Sequence, residues 1–148
     1  MKKILFVCHG NICRSAMAEF IMKDLVKKEG MSDDFYIESA ATSTEETGND
    51  LYPPAKQNLR EKGIPFARHY ARQVTKKDYK LFDYIFVMDS NNQRNIKRII
   101  PNNPDHKIHL LLDGKSIADP WYTDDFETTY QDILKGCQTW LDRLIWEK

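Results

Sequence analysis

The residues best equipped for chemistry are Cys8 and Arg14, the two ends of the run Cys8-His9-Gly10-Asn11-Ile12-Cys13-Arg14. A thiolate is a strong nucleophile, and loop N–H groups, a helix N-terminus and a nearby cation all favour it over the thiol. Arginine offers a planar fork of donors that grips two oxygens of a phosphoryl group at once. Between them, a loop with its N–H groups turned inward would cradle the phosphoryl oxygens while the sulfur waits below the phosphorus. The plain alternative is a buried thiol that closes a core strand, since free cysteine is often buried.

The elements around the loop favour the chemical reading. Ile4 to Val7 is a short apolar run suited to a buried strand. Gly10 and Asn11 are the residues that best tolerate positive φ, so the chain is expected to turn there. Ser15 is a good helix N-cap, and Ala16, Met17, Ala18 and Glu19 behind it are helix formers; Glu19 falls one place beyond a capping box. Strand, tight loop and helix N-terminus together are how an anion site is built.

Cys8-His9-Gly10-Asn11-Ile12-Cys13-Arg14-Ser15 resembles the signature loop of the low-molecular-weight protein tyrosine phosphatases. The likeness continues through Ser39-Ala40-Ala41-Thr42-Ser43, Ala71-Arg72-Gln73-Val74-Thr75-Lys76-Lys77-Asp78, Phe82-Asp83-Tyr84-Ile85, Met88-Asp89 and Asp119-Pro120, so it spans essentially the whole chain. The resemblance implies a cofactor-free enzyme acting on phosphotyrosine in proteins, with a tyrosine kinase as the opposing partner. It implies Cys8 as nucleophile, Arg14 as phosphate clamp, and His9, Gly10, Asn11, Ile12 and Cys13 as the loop around the phosphate. It places His69 against Asn11, puts Ser15 and Ser39 in the same supporting network, and gives Asp89 a supporting role beside the site. For Cys13 two readings stand: packing under the loop, or a reversible disulfide with Cys8 that shelters the thiolate from over-oxidation, which the family favours.

Asp119-Pro120 alone is only a turn signal. Beside a cysteine nucleophile it acquires a use, because the departing alkoxide or phenoxide needs a proton as the P–O bond breaks. A carboxylic acid partly desolvated by aromatic neighbours delivers that proton, and as a carboxylate it activates water. Trp121 and Tyr122 would flank the mouth and sandwich a substrate ring. The chain departs from the family at Trp121, where a tyrosine is usual, and at Glu45, where an aromatic wall residue is common. Glu45 and Glu46 are either a solvated loop tip or an acidic wall that favours basic residues beside the phosphotyrosine.

Two other functions share parts of this pattern. A thioredoxin-linked arsenate reductase relays oxidation to further cysteines in the middle of its chain, and none lies between Cys13 and Cys137. A non-catalytic phosphotyrosine-binding module keeps the loop but has no need of nucleophile or acid, and Cys8, Arg14 and Asp119 are all present.

The length of 148 residues fits one domain over 1–148 with a sizeable core, and 22 basic against 22 acidic residues give no argument for nucleic acid or membrane. No stretch approaches the roughly 20 apolar residues of a membrane span. The opening Met1 to Val7 imitates a signal peptide but stops short at Cys8, so a cytoplasmic monomer is the expectation. Three cysteines without framework spacing suit a reducing compartment. His9, His69, His106 and His109 are scattered, and no metal site is expected. Gly114-Lys115-Ser116 imitates a nucleotide-binding loop, but His109 stands where that motif needs glycine.

Helices are expected over residues 15–29, 53–62, 91–100 and from Phe126 onward, with a capped turn at Thr75, and strands over 35–39, 84–88 and 107–112. Cys137 lies on the apolar stripe of the last helix and reads as structural. Alternating strands and helices imply an α/β fold with an open, mostly parallel sheet and helices on both faces. The family supplies the order 2-1-3-4 of a flavodoxin-like, four-stranded sheet.

Overall fold

The computed structural model describes residues 1–146. In chain order the elements are β1 (Lys2–Cys8), α1 (Arg14–Lys28), a 3₁₀ turn (Ser32–Asp34), β2 (Phe35–Ala41), α2 (Pro53–Glu61), α3 (Lys76–Leu81), β3 (Tyr84–Val87), α4 (Ser90–Ile96), β4 (Ile108–Leu110), α5 (Pro120–Thr123) and α6 (Phe126–Trp146). The four strands form one parallel sheet in the order β2-β1-β3-β4, the flavodoxin-like arrangement that the resemblance implied.

β1 is buried from Ile4 to Cys8, which is why its sequence is apolar without alternation. Period-2 geometry still sorts its side chains. Ile4, Phe6 and Cys8 join the larger core cluster with α1 and α6, whereas Leu5 and Val7 join Tyr79, Phe82, Ile85, Val87 and Ile96 on the other face. β1 therefore has helices on both sides and strands on both edges. The loop leaving its C-terminal end opens at the crevice where the connections to β2 and β3 diverge, the usual ligand position in open α/β sheets.

β2 runs two residues longer than expected, to Ala41, while the fourth helix and the last strand are shorter. The fourth helix ends at Ile96, and Arg98, Ile99 and Ile100 close turns back onto Asn95 and Ile96, because Pro101 disfavours helical geometry in the residue before it. β4 covers only Ile108–Leu110.

α6 packs unusually close to the chain leaving β4. A Cβ at Gly136 would lie 2.8 Å from Leu111 Cγ and 3.0 Å from the Leu111 carbonyl oxygen. Gly136→Ala would gain about 1 kcal/mol of helix propensity, against an overpacking cost of about 1–3 kcal/mol with a backbone atom that has little room to yield. The clash outweighs the propensity, so a lower urea midpoint is expected for Gly136→Ala; an unchanged or raised midpoint would show that Leu111 moves aside.

Candidate active site

The loop after β1 wraps the Cys8 sulfur in donors. Asn11 N–H and Ser15 N–H each point at Sγ from 3.4 Å, and Ser15 Oγ lies 3.0 Å away. Ser15 is not the helix cap that its residue type suggests. Cys13 occupies the cap position without a side-chain bond, and Ser15 sits inside the first turn of α1, where its hydroxyl turns inward to the sulfur. Gly10 also departs from expectation: the left-handed residue is Asn11 alone, at φ 62°.

A left-handed asparagine needs holding, and three bonds hold it. Asn11 Nδ2 donates to Ser15 Oγ at 2.8 Å, Asn11 Oδ1 accepts from Arg72 N–H at 3.3 Å, and the Asn11 carbonyl accepts from His69 Nε2 at 2.6 Å. A carbonyl can only accept, so His69 carries its proton on Nε2. Burial pulls the His69 pKa down against the opposing effect of that bond, which keeps the ring neutral. Ser39 takes no direct part: its hydroxyl donates to Glu19 at 2.6 Å, tying β2 to α1 rather than to Asn11.

Arg14 is buried to 2% exposure and closes the other end of the loop. Its Nη1 donates to Asp89 Oδ2 at 2.6 Å and to the Ile117 carbonyl at 2.9 Å, while Nη2 reaches Asp119 Oδ2 only at 3.5 Å. Burial would lower its pKa, but the Cys8 sulfur, Asp89 and Asp119 outweigh this and hold the guanidinium charged above its ordinary value. Asp89 spends its second oxygen capping α4, accepting from Asn92 N–H at 2.7 Å. Asp119 caps α5, accepting from Trp121 N–H at 3.0 Å. The strong partner of Arg14 is thus Asp89, and Asp119 stands at the limit of contact, over the cleft.

The cleft above the loop has a volume of about 530 Å³ and brings Cys8, His9, Gly10, Asn11, Ile12, Cys13 and Arg14 together with Glu45, Glu46, Asp119, Trp121 and Tyr122. Trp121 is half exposed and leans on Tyr52, ring centroids 4.7 Å apart, with Phe126 behind Tyr52 at 6.2 Å. Across the mouth, His9 Nε2 donates to Glu45 Oε2 at 3.0 Å. Both groups are exposed, and such a pair is worth at most about 1 kcal/mol, so a substrate can replace it.

The sequence matches the model of the family described as "Low molecular weight phosphotyrosine protein phosphatase" over residues 3–148. The chain belongs to that family. A mouse low molecular weight phosphotyrosine protein phosphatase is 41% identical over 151 residues, covering 96% of this chain and 95% of the relative. Among solved structures, the low molecular weight protein tyrosine phosphatase SP-PTP from Streptococcus pyogenes is 48% identical with a TM-score of 0.90, covering 97% of this chain and 93% of its own. YfkJ from Bacillus subtilis is 37% identical with a TM-score of 0.95, covering 100% and 97%.

Within this family member, several contributors to the site carry no local sequence signal. Asp50 accepts from the N–H groups of His69 at 2.9 Å and Leu51 at 2.7 Å and pairs with Lys56 at 2.5 Å. Burial opposes the charge on Asp50, but those partners hold its pKa below the usual carboxylate range. Asp50 thereby fixes the backbone that carries His69. Tyr52, which props Trp121, donates its backbone N–H to the Ile12 carbonyl at 2.9 Å. Only the three-dimensional path of the chain brings these groups to the loop. Among the described residues no group of three His, Cys, Asp or Glu side chains is placed to hold a metal ion, and no helix is long and apolar enough to cross a membrane.

Proposed function

We propose that the chain is one catalytic domain that hydrolyses phosphotyrosine in proteins through a cysteinyl-phosphate intermediate, as a cytoplasmic monomer whose substrates are made by a tyrosine kinase. The observation that carries this reading is the convergence of two backbone N–H donors, from Asn11 and Ser15, on Cys8 Sγ, with Ser15 Oγ beside them. At the loop's other thiol, burial, followed by the charges of Cys8 and Asp119, pushes the Cys13 pKa far up and keeps it protonated. One sulfur of the loop is ringed by N–H groups and the other is buried beneath it.

In the first step Cys8 Sγ attacks phosphorus, an S–P bond forms, and the P–O bond to the phenol breaks. The loop N–H groups and Arg14 stabilise the equatorial oxygens, and Asp119 passes its proton to the leaving oxygen. In the second step Asp119, now a carboxylate, takes a proton from water. The water oxygen attacks phosphorus, the S–P bond breaks, and inorganic phosphate leaves with the Cys8 thiolate restored. His9, Gly10, Ile12 and Cys13 complete the cup, and Asn11, Ser15, His69 and Asp89 keep it in shape. Ser39 contributes only through Glu19.

The test is hydrolysis of a phosphotyrosine peptide and of p-nitrophenyl phosphate with a chelator present, followed by acid quench and mass mapping of the phosphorylated residue. Turnover with phosphate on Cys8 is expected; no turnover by folded protein, or phosphate elsewhere, overturns the reading. An arsenate-reductase relay lacks parts, since Cys137 is fully buried in α6 and burial pushes its thiol up. The Cys8–Cys13 disulfide stays part of the proposal and is checked by the same mapping after mild peroxide.

Glu45 and Glu46 both line the cleft, so the wall beside the substrate ring is acidic. Wild type is expected to prefer peptides with Lys or Arg next to the phosphotyrosine, and Glu45→Lys to reverse that preference by about five- to tenfold in kcat/KM, as charge complementarity at a rim works mainly on encounter. Identical peptide rankings in the two proteins would remove Glu45 from substrate choice.

A further inference from the structure

A second cleft, about 610 Å³, adjoins the first. It shares His9, Arg14, Asp119 and Tyr122 with the phosphate cup and continues over α4, where Asn91 and Asn95 line it. We propose that this cleft binds the polypeptide backbone flanking the phosphotyrosine of the substrate, with the side-chain amides of Asn91 and Asn95 as the recognising groups. The inference rests on the phosphotyrosine-protein reading above and adds to it where the rest of the substrate lies.

Three observations carry it. The first is continuity: a chain whose phosphotyrosine ring stands in the cup must leave over the rim, and on the side of Tyr122 and His9 the rim leads into this cleft. Glu45 and Glu46 line the first cleft and not this one. The second is chemistry. The charged lining residues Arg14, Asp89 and Asp119 are paired with one another, and Asn91, Asn95 and Tyr122 present neutral donors and acceptors that match peptide N–H and C=O groups.

The third is that the amides are available. Among the described residues the half-buried side chain of Asn95 makes no hydrogen bond, and Asn91 uses only Oδ1, accepting from Arg94, so its Nδ2 is open. Asn92 between them is committed to the fold. Asn92 is buried, with its side chain accepting from Met88 N–H at 3.0 Å, and its own N–H goes to Asp89. The cleft therefore offers the side-chain amides of Asn91 and Asn95.

The experiment compares kcat/KM for a phosphotyrosine peptide, free phosphotyrosine and p-nitrophenyl phosphate in wild type, the double variant Asn91→Ala/Asn95→Ala, and Asn95→Trp, which fills the cleft with bulk. Two neutral hydrogen bonds are expected to be worth about tenfold together on the peptide. The small substrates, which end at the ring, are expected to stay within about twofold. Asn95→Trp is expected to cost the peptide as much or more. Unchanged peptide turnover in both variants, or an equal loss on all three substrates, overturns the proposal. Wild type that hydrolyses p-nitrophenyl phosphate but no phosphotyrosine peptide overturns instead the reading on which it rests.

Discussion

Cys8→Ser is expected to reduce turnover of every phosphomonoester by about 10⁴-fold or more, in line with removal of the nucleophile from other covalent enzymes. Serine fits the position sterically, because Cys8 is buried at 3% exposure among contacts that a hydroxyl also satisfies. What fails is activation. Asn11 N–H and Ser15 N–H can only donate to atom γ of residue 8. They cannot take a proton from a serine hydroxyl, which ionises far less readily than a thiol. Ser15 Oγ could accept one only weakly. Asp119 is engaged as the acid of the first step, so it is not free to serve as a base for a serine hydroxyl. Binding is expected to persist, since Arg14 and the loop N–H groups are untouched. Calorimetric titration of the variant with a phosphotyrosine peptide should give saturable one-to-one binding, with an unchanged melting temperature. Residual turnover within about 100-fold of wild type would move the nucleophile elsewhere.

This prediction draws on features that were unequally visible in the chain. The strand, loop and helix around Cys8 were legible because each is written locally: a continuous apolar run, turn residues, then helix formers. Thr75 shows the same legibility, capping α3 in a full box with Asp78. Ser15 was misread for a related reason. Its residue type suits a cap, but the sulfur of Cys8, seven positions earlier, competes for the hydroxyl and wins. Local propensity has no term for a partner brought by the fold. Asp50 and Tyr52 were invisible for the same cause, since an aspartate or tyrosine in a polar loop looks like solvated surface until the chain folds back on the cup. The strand order was not legible from periodicity at all and came from the family likeness, because parallel strands buried on both faces look alike.

The division of labour between Asp89 and Asp119 yields the second large effect. Two carboxylates face one guanidinium, but unequally: Asp89 at 2.6 Å, with the Ile117 carbonyl at 2.9 Å on the same nitrogen, and Asp119 at 3.5 Å. Asp89 is the structural counter-charge, and Asp119 is left with a loose contact and a side chain about one quarter exposed at the cleft. Asp119→Asn is the sharper variant than Asp119→Ala, because asparagine caps α5 as well as aspartate does and so removes the proton donor with little change in backbone. A loss of about 10²–10⁴-fold in kcat is expected on phosphotyrosine, whose leaving phenolate is strongly basic. With p-nitrophenyl phosphate, whose leaving group departs readily without a proton, the loss should be markedly smaller. Because the same residue also serves the water step, the variant should accumulate phosphocysteine during turnover of the activated ester, visible by acid quench. Equal losses on both substrates, with no trapped intermediate, would assign the proton transfer to another group. Tyr122, beside Asp119 at the cleft, would then be the residue to replace next.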